Sequence, residues 1–269
     1  MGKPSDTAGG MADETTSPLL EVHGLRRRFG GVVALDGFDV TVTKGTITAL
    51  IGPNGAGKTT AFQCISGVGR ADAGSVRFAG REVTGWRPDR ITRAGMVRSF
   101  QIARGIPRLS VMENLMLYAP HQPGEQVGTA LFGGGRQAEE AAREAALSVA
   151  RRLGLLRLGN APAASLSGGQ KKLLEIGRAL MAQPRMILLD EPVAGVNPTL
   201  AQEIAQHLSV LRDEGMTFLV IEHHMDIVAQ LCDPVVVMAE GRVLTKGSFA
   251  AVAADLAVQE AYMGRRRWN

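Results

Sequence analysis

The segment Gly52-Pro53-Asn54-Gly55-Ala56-Gly57-Lys58-Thr59-Thr60 constrains this chain more than any other, because few backbones can follow it. It fills every fixed position of the pattern G-x-x-x-x-G-K-[ST], and its flanks are those the pattern requires. Upstream, Thr46-Ile-Thr-Ala-Leu-Ile51 is apolar and β-branched and reads as a buried strand. Downstream, a helix is expected from Thr59 to about Ser66. Gly52, Gly55 and Gly57 permit a tight, partly left-handed path that aims successive backbone N–H groups at one point. The helix N-terminus adds a favourable partial positive charge there. Such a unit suits the phosphates of a nucleoside triphosphate: Lys58 would reach the β- and γ-phosphates, and the Thr59 hydroxyl would ligate Mg²⁺. A glycine-rich turn of chance resemblance does not explain why the loop lies between a strand and a helix.

A second apolar run, Met186-Ile-Leu-Leu189, ends in Asp190-Glu191-Pro192. A buried parallel strand delivers residues at its C-terminal edge, beside the phosphate loop. Asp190 then fits the Walker-B role of holding Mg²⁺, usually through water, and Glu191 that of a general base for the attacking water. Adjacent carboxylates at a strand end are ordinarily a solvated turn. Here the aliphatic run before them and the phosphate loop elsewhere reverse that reading.

The third motif is Leu166-Ser167-Gly168-Gly169-Gln170. It resembles the signature of the ABC transporter ATPases, and the resemblance covers about Leu19 to Gly264 with the motifs in the family's order. It implies an α/β P-loop NTPase core with an antiparallel β subdomain and an inserted helical subdomain, binding ATP and Mg²⁺. In that family Ser167, Gly168, Gly169 and Gln170 would cover the γ-phosphate held by a facing subunit, so the site is completed only by dimerisation. Phe29, in Arg28-Phe-Gly-Gly, matches the aromatic position whose ring stacks on adenine; an ordinary core aromatic is the other reading. Gln101, in Arg98-Ser-Phe-Gln, matches the glutamine that touches Mg²⁺ and water and links the site to the membrane subunit. His223 matches the switch histidine that contacts the γ-phosphate. Two positions depart from the common pattern: His224 stands where Asp is usual, and Asn197, in Ala194-Gly-Val-Asn-Pro198, stands where the family commonly has Asp. The pair His223–His224, on opposite sides of a strand or in a turn, makes a poor metal site, and no zinc is implied.

Within the family, the chain is similar to the longer of the two ATP-binding subunits of branched-chain amino-acid importers. Arg98-Ser-Phe-Gln-Ile-Ala-Arg104, Leu109-Ser-Val-Met-Glu-Asn-Leu115, the Ala-Gly-Val-Asn-Pro turn and the closing Glu260-Ala-Tyr-Met-Gly264 carry that similarity, with Gly105 and Ile106 as departures. It implies uptake of branched-chain or other hydrophobic amino acids. The implied partners are a second ATPase subunit, alike or different, membrane-spanning permease subunits and, indirectly, an extracytoplasmic substrate-binding protein. Two alternatives are the ATPase of another transporter, such as lipopolysaccharide export, and a soluble ABC ATPase of translation or DNA repair. The latter generally fuse two ATPase halves or carry a long coiled coil. A GTPase lacks support, since there is no Asn-Lys-x-Asp motif.

Composition agrees with a cytosolic subunit, and the resemblance implies a place at the cytoplasmic face of a membrane, held there through partners. No apolar stretch approaches the roughly 20 residues needed to span a bilayer. Residues 1–18, rich in Gly, Thr, Ser and Asp, lack the apolar segment of a signal peptide and read as a disordered leader. The domain is expected over 19–264, with antiparallel strands such as Val40–Thr43 and Ser75–Phe78 in its first part. A helical insertion is expected at about 102–182. Within it, Arg136 to Leu156 carries Ala and Leu at helical spacing, with Glu139, Glu140, Arg143 and Glu144 on a solvated face. Later helices are expected at Lys171–Ala182 and near Leu200–Glu214, and strands at Phe218–Glu222 and Val235–Met238. The net charge is +4 with 4% aromatic residues, and no stacked-aromatic and basic pattern argues for nucleic acid. The tail 265–269 holds Arg265-Arg266-Arg267, which suits either anionic lipid or plain solvent. Cys64 and Cys232 lie in no CxxC pattern, and Cys64 reads as core packing.

Overall fold

A computed structural model describes residues 17–99, 106–120 and 135–263. Two sheets organise them. The first is antiparallel, in the order β2-β1-β4-β5, from β1 (Pro18–Phe29), β2 (Val32–Thr43), β4 (Ala73–Phe78) and β5 (Arg81–Glu82). The second runs β10-β9-β3-β8-β7-β6, from β3 (Ile47–Ile51), β6 (Met96–Arg98), β7 (Met186–Asp190), β8 (Thr217–Ile221), β9 (Val235–Ala239) and β10 (Arg242–Gly247). Neighbours from β9 through β6 pair in parallel, and β10 closes the edge antiparallel. Pro18 already pairs with Thr43, so β1 starts within the stretch expected as leader.

Side chains alternate across the second sheet with the period of two that a strand imposes. Ile187 and Leu189, Phe218 and Val220, Val235 and Val237 enter one core with the helices. Met186 and Leu188, Leu219 and Ile221, Val236 and Met238 enter the other, with the first sheet and α1 (Lys58–Ile65). Burial on both faces explains why these strands read as continuous apolar runs.

On the helical side, α3 (Val111–Met116), α4 (Gly135–Arg152) and α5 (Gly168–Met181) pack together, after the short α2 (Pro88–Arg93). Gly177 is where α5 touches both neighbours: a Cβ there would lie 2.9 Å from Leu115 of α3 and 3.3 Å from Val149 of α4. Among the described residues four further helices follow: α6 (Pro198–Asp213) after β7, α7 (Met225–Leu231) after β8, and α8 (Phe249–Ala254) and α9 (Leu256–Met263) after β10.

Helix ends differ from expectation where capping decides them. Ser167 accepts from Gln170 N–H, so α5 begins at Gly168 and not Lys171. The Asn197 side chain accepts from Leu200 N–H at 2.9 Å, and with Pro198 in the first helical position α6 begins two residues early. α4 ends at Arg152, short of Leu156, because Gly154 turns left-handed at φ 67°. Cys64 and Cys232 are both buried, and burial pushes the Cys232 thiol up to about 12. Among the described residues, no helix is long and apolar enough to cross a membrane.

Candidate functional site

The site forms where β3, β7 and β8 end side by side. β3 leads into the glycine loop, and its geometry leaves no room for larger residues. Gly52 has φ 150° and Gly57 φ 102°; a Cβ on them would meet Met238 O at 2.2 Å and Ala34 O at 2.4 Å. The loop therefore presses against β9 and β2 as a thin backbone ribbon. Gly57 is also the residue from which α1 starts, and among the described residues no side chain caps that helix. Its first N–H groups are thus open to an anion.

A cavity of about 260 Å³ lies over this loop, lined by Asn54, Gly55, Ala56, Gly57, Lys58, Thr59 and Thr60 together with Val32, Val33, Ala34, Glu191, Ile221 and His223. Lys58 is 6% exposed, and its Nζ donates to the carbonyls of Gly52 at 2.7 Å and Pro53 at 3.0 Å. Burial lowers its pKa, while the charges of Glu191 and Asp190 oppose that shift. Two carboxylates therefore lie within electrostatic reach of one buried ammonium.

Asp190 ends β7 opposite Ile221 of β8, and Glu191 follows it. Glu191 takes φ 51°, a left-handed conformation unusual for a carboxylate residue. That turn brings Glu191 Oε1 to 3.2 Å from His223 Nε2, just past the end of β8. Lys172 Nζ donates to the Glu191 carbonyl at 3.4 Å. The expected pair Glu191 and His223 thus meet in the cavity with Lys58 and Thr59. His223 and His224 lie in the connection before α7, where His224 holds the position preceding its first residue.

Phe29 ends β1 and is half exposed, with the Arg27 guanidinium 4.7 Å from its ring centre, so it is not a core aromatic. It pairs with Val32, whose strand lines the cavity. Asp72 holds this strand end: it accepts from Arg28 N–H at 2.7 Å and pairs with Arg27, and these contacts hold its carboxyl below the usual range. Gln101 lies outside the described residues.

Ser167, Gly168, Gly169 and Gln170 stand elsewhere, and none of them lines this cavity. Their side chains close a reciprocal cap: Gln170 N–H donates to Ser167 Oγ at 3.3 Å, and Ser167 N–H to Gln170 Oε1 at 2.9 Å. Gly168 is exposed at the tip, whereas Gly169 is buried against Leu200.

Three side chains near the site escaped the sequence reading. Arg98 ends β6 and donates to Asp190 Oδ2 at 3.0 Å. Glu222 is 1% exposed and accepts from the backbone of both site segments. Tyr262 of α9 hydrogen-bonds the Gly52 backbone. The only signal for Arg98 was its place in the same run as Gln101, and for Glu222 its charge at the end of an apolar strand.

For Mg²⁺, the chemistry of the donor set is suitable. Among the described residues no group of three or more His, Cys, Asp or Glu forms a dedicated metal cage. Mg²⁺ is ordinarily held by one or two protein oxygens with phosphates and water, which the Thr59 hydroxyl and the Asp190 carboxylate can supply.

A strand-loop-helix cradle with carboxylate, histidine and lysine converging above it defines a P-loop nucleotide hydrolase. The ABC transporter family model matches residues 35–194. The chain is 39% identical over 246 residues to the probable branched-chain amino acid transport ATP-binding protein LivG of Archaeoglobus fulgidus, spanning 91% of this chain and 95% of that one. It is 36% identical over 250 residues to the high-affinity branched-chain amino acid transport ATP-binding protein BraF of Pseudomonas aeruginosa, spanning 92% and 98%. Among solved structures, a nucleotide-free ATP-binding cassette from an ABC transporter superposes with a TM-score of 0.81 at 38% identity, over 92% of this chain and 100% of that one. The ADP conformation of such a cassette gives 0.81 at 37% identity, over 93% and 100%. The chain belongs to the ABC transporter family, as one of its ATP-hydrolysing subunits, and has the ABC ATPase fold.

Proposed function

We propose that this chain powers a membrane importer of branched-chain or other hydrophobic amino acids, sitting at the cytoplasmic face and docked on permease subunits. The similarity to LivG and BraF over nine-tenths of each chain supports the substrate class. Glu191 lying 3.2 Å from His223 above the glycine loop is the observation that carries the hydrolytic role.

In this reading the loop N–H groups, Lys58 and the α1 N-terminus hold the phosphates, and Phe29 stacks on adenine. Lys58 leaves the carbonyls of Gly52 and Pro53 for phosphate oxygens. Glu191 accepts a proton from water as the water oxygen bonds to the γ-phosphorus, and the bond to the β–γ bridging oxygen breaks. ADP and inorganic phosphate result. His223 holds Glu191 and contacts the γ-phosphate. Thr59 and Asp190 would hold Mg²⁺, with Gln101 contributing from outside the described residues; when bound, the ion neutralises phosphate charge.

Ser167, Gly168, Gly169 and Gln170 act on the ATP of a facing subunit, a role supported by their absence from this chain's own cavity. The groove lined by Val97, Arg98, Ser99, Tyr118, Glu175 and Arg178 suits the permease contact.

Glu191→Gln keeps size but removes the proton acceptor. Hydrolysis is expected to fall by roughly 10²–10⁴-fold while ATP binding persists. Hydrolysis at the wild-type rate would refute the mechanism. Reconstitution with candidate membrane subunits and a panel of hydrophobic amino acids, amides and urea tests the substrate class, and transport of none of the hydrophobic amino acids would reject it.

A further inference from the structure

We propose that Glu222 is a positioning residue for ATP hydrolysis, a carboxylate that locks the Glu191 segment to the His223 segment. The proposal rests on the hydrolytic site described above. Glu222 follows β8 directly and is buried to 1% exposure, outside the lining of the nucleotide cavity. Its two oxygens divide their partners between the two segments. Oε1 accepts from Val193 N–H at 3.1 Å, two residues beyond Glu191. Oε2 accepts from His223 N–H at 2.9 Å and His224 N–H at 3.2 Å. His224 Nδ1 stands 3.1 Å from the same oxygen.

The chemistry of the partners selects a carboxylate. Three backbone N–H donors face Glu222 in these contacts, and an ionised carboxylate is the side chain with two acceptor oxygens and no donor of its own. Glutamine of the same length turns an NH₂ toward one of the two segments, where it meets a donor. A buried charge is tolerated only when it is hydrogen-bonded, and here those bonds join the two segments from beneath the contact that Glu191 and His223 make in the cavity. Glu191 is itself tied to this strand end, since its N–H donates to Ile221 O at 2.9 Å. The result is a closed frame: the Glu191 backbone on Ile221, Val193 on Glu222, His223 on Glu222, and the Glu191 and His223 side chains on each other. Loosening one corner shifts the reacting carboxylate relative to the histidine.

The test is a double-mutant comparison on the full chain, with ATPase turnover, ATP affinity and the thermal midpoint measured for Glu222→Gln, His223→Ala and both together. Glu222→Gln is expected to lower kcat by about 10- to 100-fold, the scale of misplacing a reacting group by an ångström, with little change in KM. In the His223→Ala background it should cost little more, because the segment it positions has already lost its side chain. Unchanged kcat in Glu222→Gln, or losses that simply multiply in the double variant, would overturn the proposal. If Glu222→Gln does not fold, Glu222→Asp serves: it keeps the charge but is too short to bridge both segments, and the same non-additive loss is expected. Wild-type turnover in His223→Ala and Glu191→Gln would instead defeat the hydrolytic site itself, which separates the two failures.

Discussion

Replacing Arg98 with methionine tests whether the charge behind Asp190 is structural. Arg98 sits opposite Leu188 in the parallel pairing of β6 with β7, so its side chain runs along the strand to Asp190, two residues further on. The two side chains are 12% and 5% exposed and meet at 3.0 Å. At an effective dielectric of about 20, unit charges at that distance attract by roughly 5 kcal/mol, an amount offset in part by desolvation. Methionine keeps an apolar stem but leaves the Asp190 carboxylate buried without the guanidinium, which also lies 5.9 Å from the Phe62 ring centre. Removing one partner of such a pair costs about 3–5 kcal/mol. An unfolding entropy of about 2.1 cal/mol/K per residue implies a fall of roughly 5–9 °C in midpoint for a chain of this length. Scanning calorimetry without nucleotide is the assay, since bound ligand adds stability of its own. Arg98→Met combined with Asp190→Asn should recover part of the loss, because the stranded charge is gone. A midpoint shift under about 2 °C for Arg98→Met, or no recovery in the pair, refutes the reasoning.

Lys58→Ala removes the buried cation from the phosphate cradle, and isothermal titration should show ATP binding sharply weakened; retained affinity would move the site elsewhere. Phe29→Ala should cost ATP affinity about 1 kcal/mol if the ring stacks on adenine, and equal affinity would argue against that contact. A Lys58→Ala subunit mixed with a Gly169-substituted one should recover ATPase activity in the one composite site left intact; no recovery, with ATP-induced dimers also absent by gel filtration, rejects the cross-subunit role. Asp72 is held below its unfolded value by Arg28 N–H and Arg27, so its contribution is present above about pH 4 and lost as pH falls through the folded value. Asp72→Asn should therefore lower the thermal midpoint at pH 6, with the gap to wild type narrowing as pH falls below about 4, and a gap that widens in acid would contradict the sign.

What could be read from the chain depended on how local the constraint was. The glycine loop was legible because its φ angles are fixed by residues adjacent in sequence, and the strands were legible because burial on both faces makes them continuous apolar runs. Asn197 was read as a departure from the Asp common in the family, and the structure uses it as the cap of α6, a role that Asn-Pro before a helical pattern already signals. The serine and glutamine of the signature likewise satisfy a helix end through each other. Arg98 and Asp190 are 92 residues apart, and only the order of parallel strands, which no local pattern encodes, makes them neighbours.

The left-handed backbone at Glu191 joins these observations. A non-glycine residue at φ 51° is held there at a cost of about 1–3 kcal/mol, and persists only where its surroundings over-determine it. They do so here: its N–H bonds Ile221 O, and its carbonyl accepts from Ala194 N–H at 3.1 Å and Lys172 Nζ at 3.4 Å. An extended Glu191 would continue β7 and carry its side chain away from β8. The turn instead directs the carboxylate toward His223, while Asp190, one residue earlier, stays buried against Arg98. Adjacent carboxylates thereby acquire different surroundings, one cationic and enclosed, the other facing the cavity beside an imidazole. In the mechanism proposed above, that separation lets Asp190 serve as a fixed oxygen ligand and Glu191 as a proton acceptor.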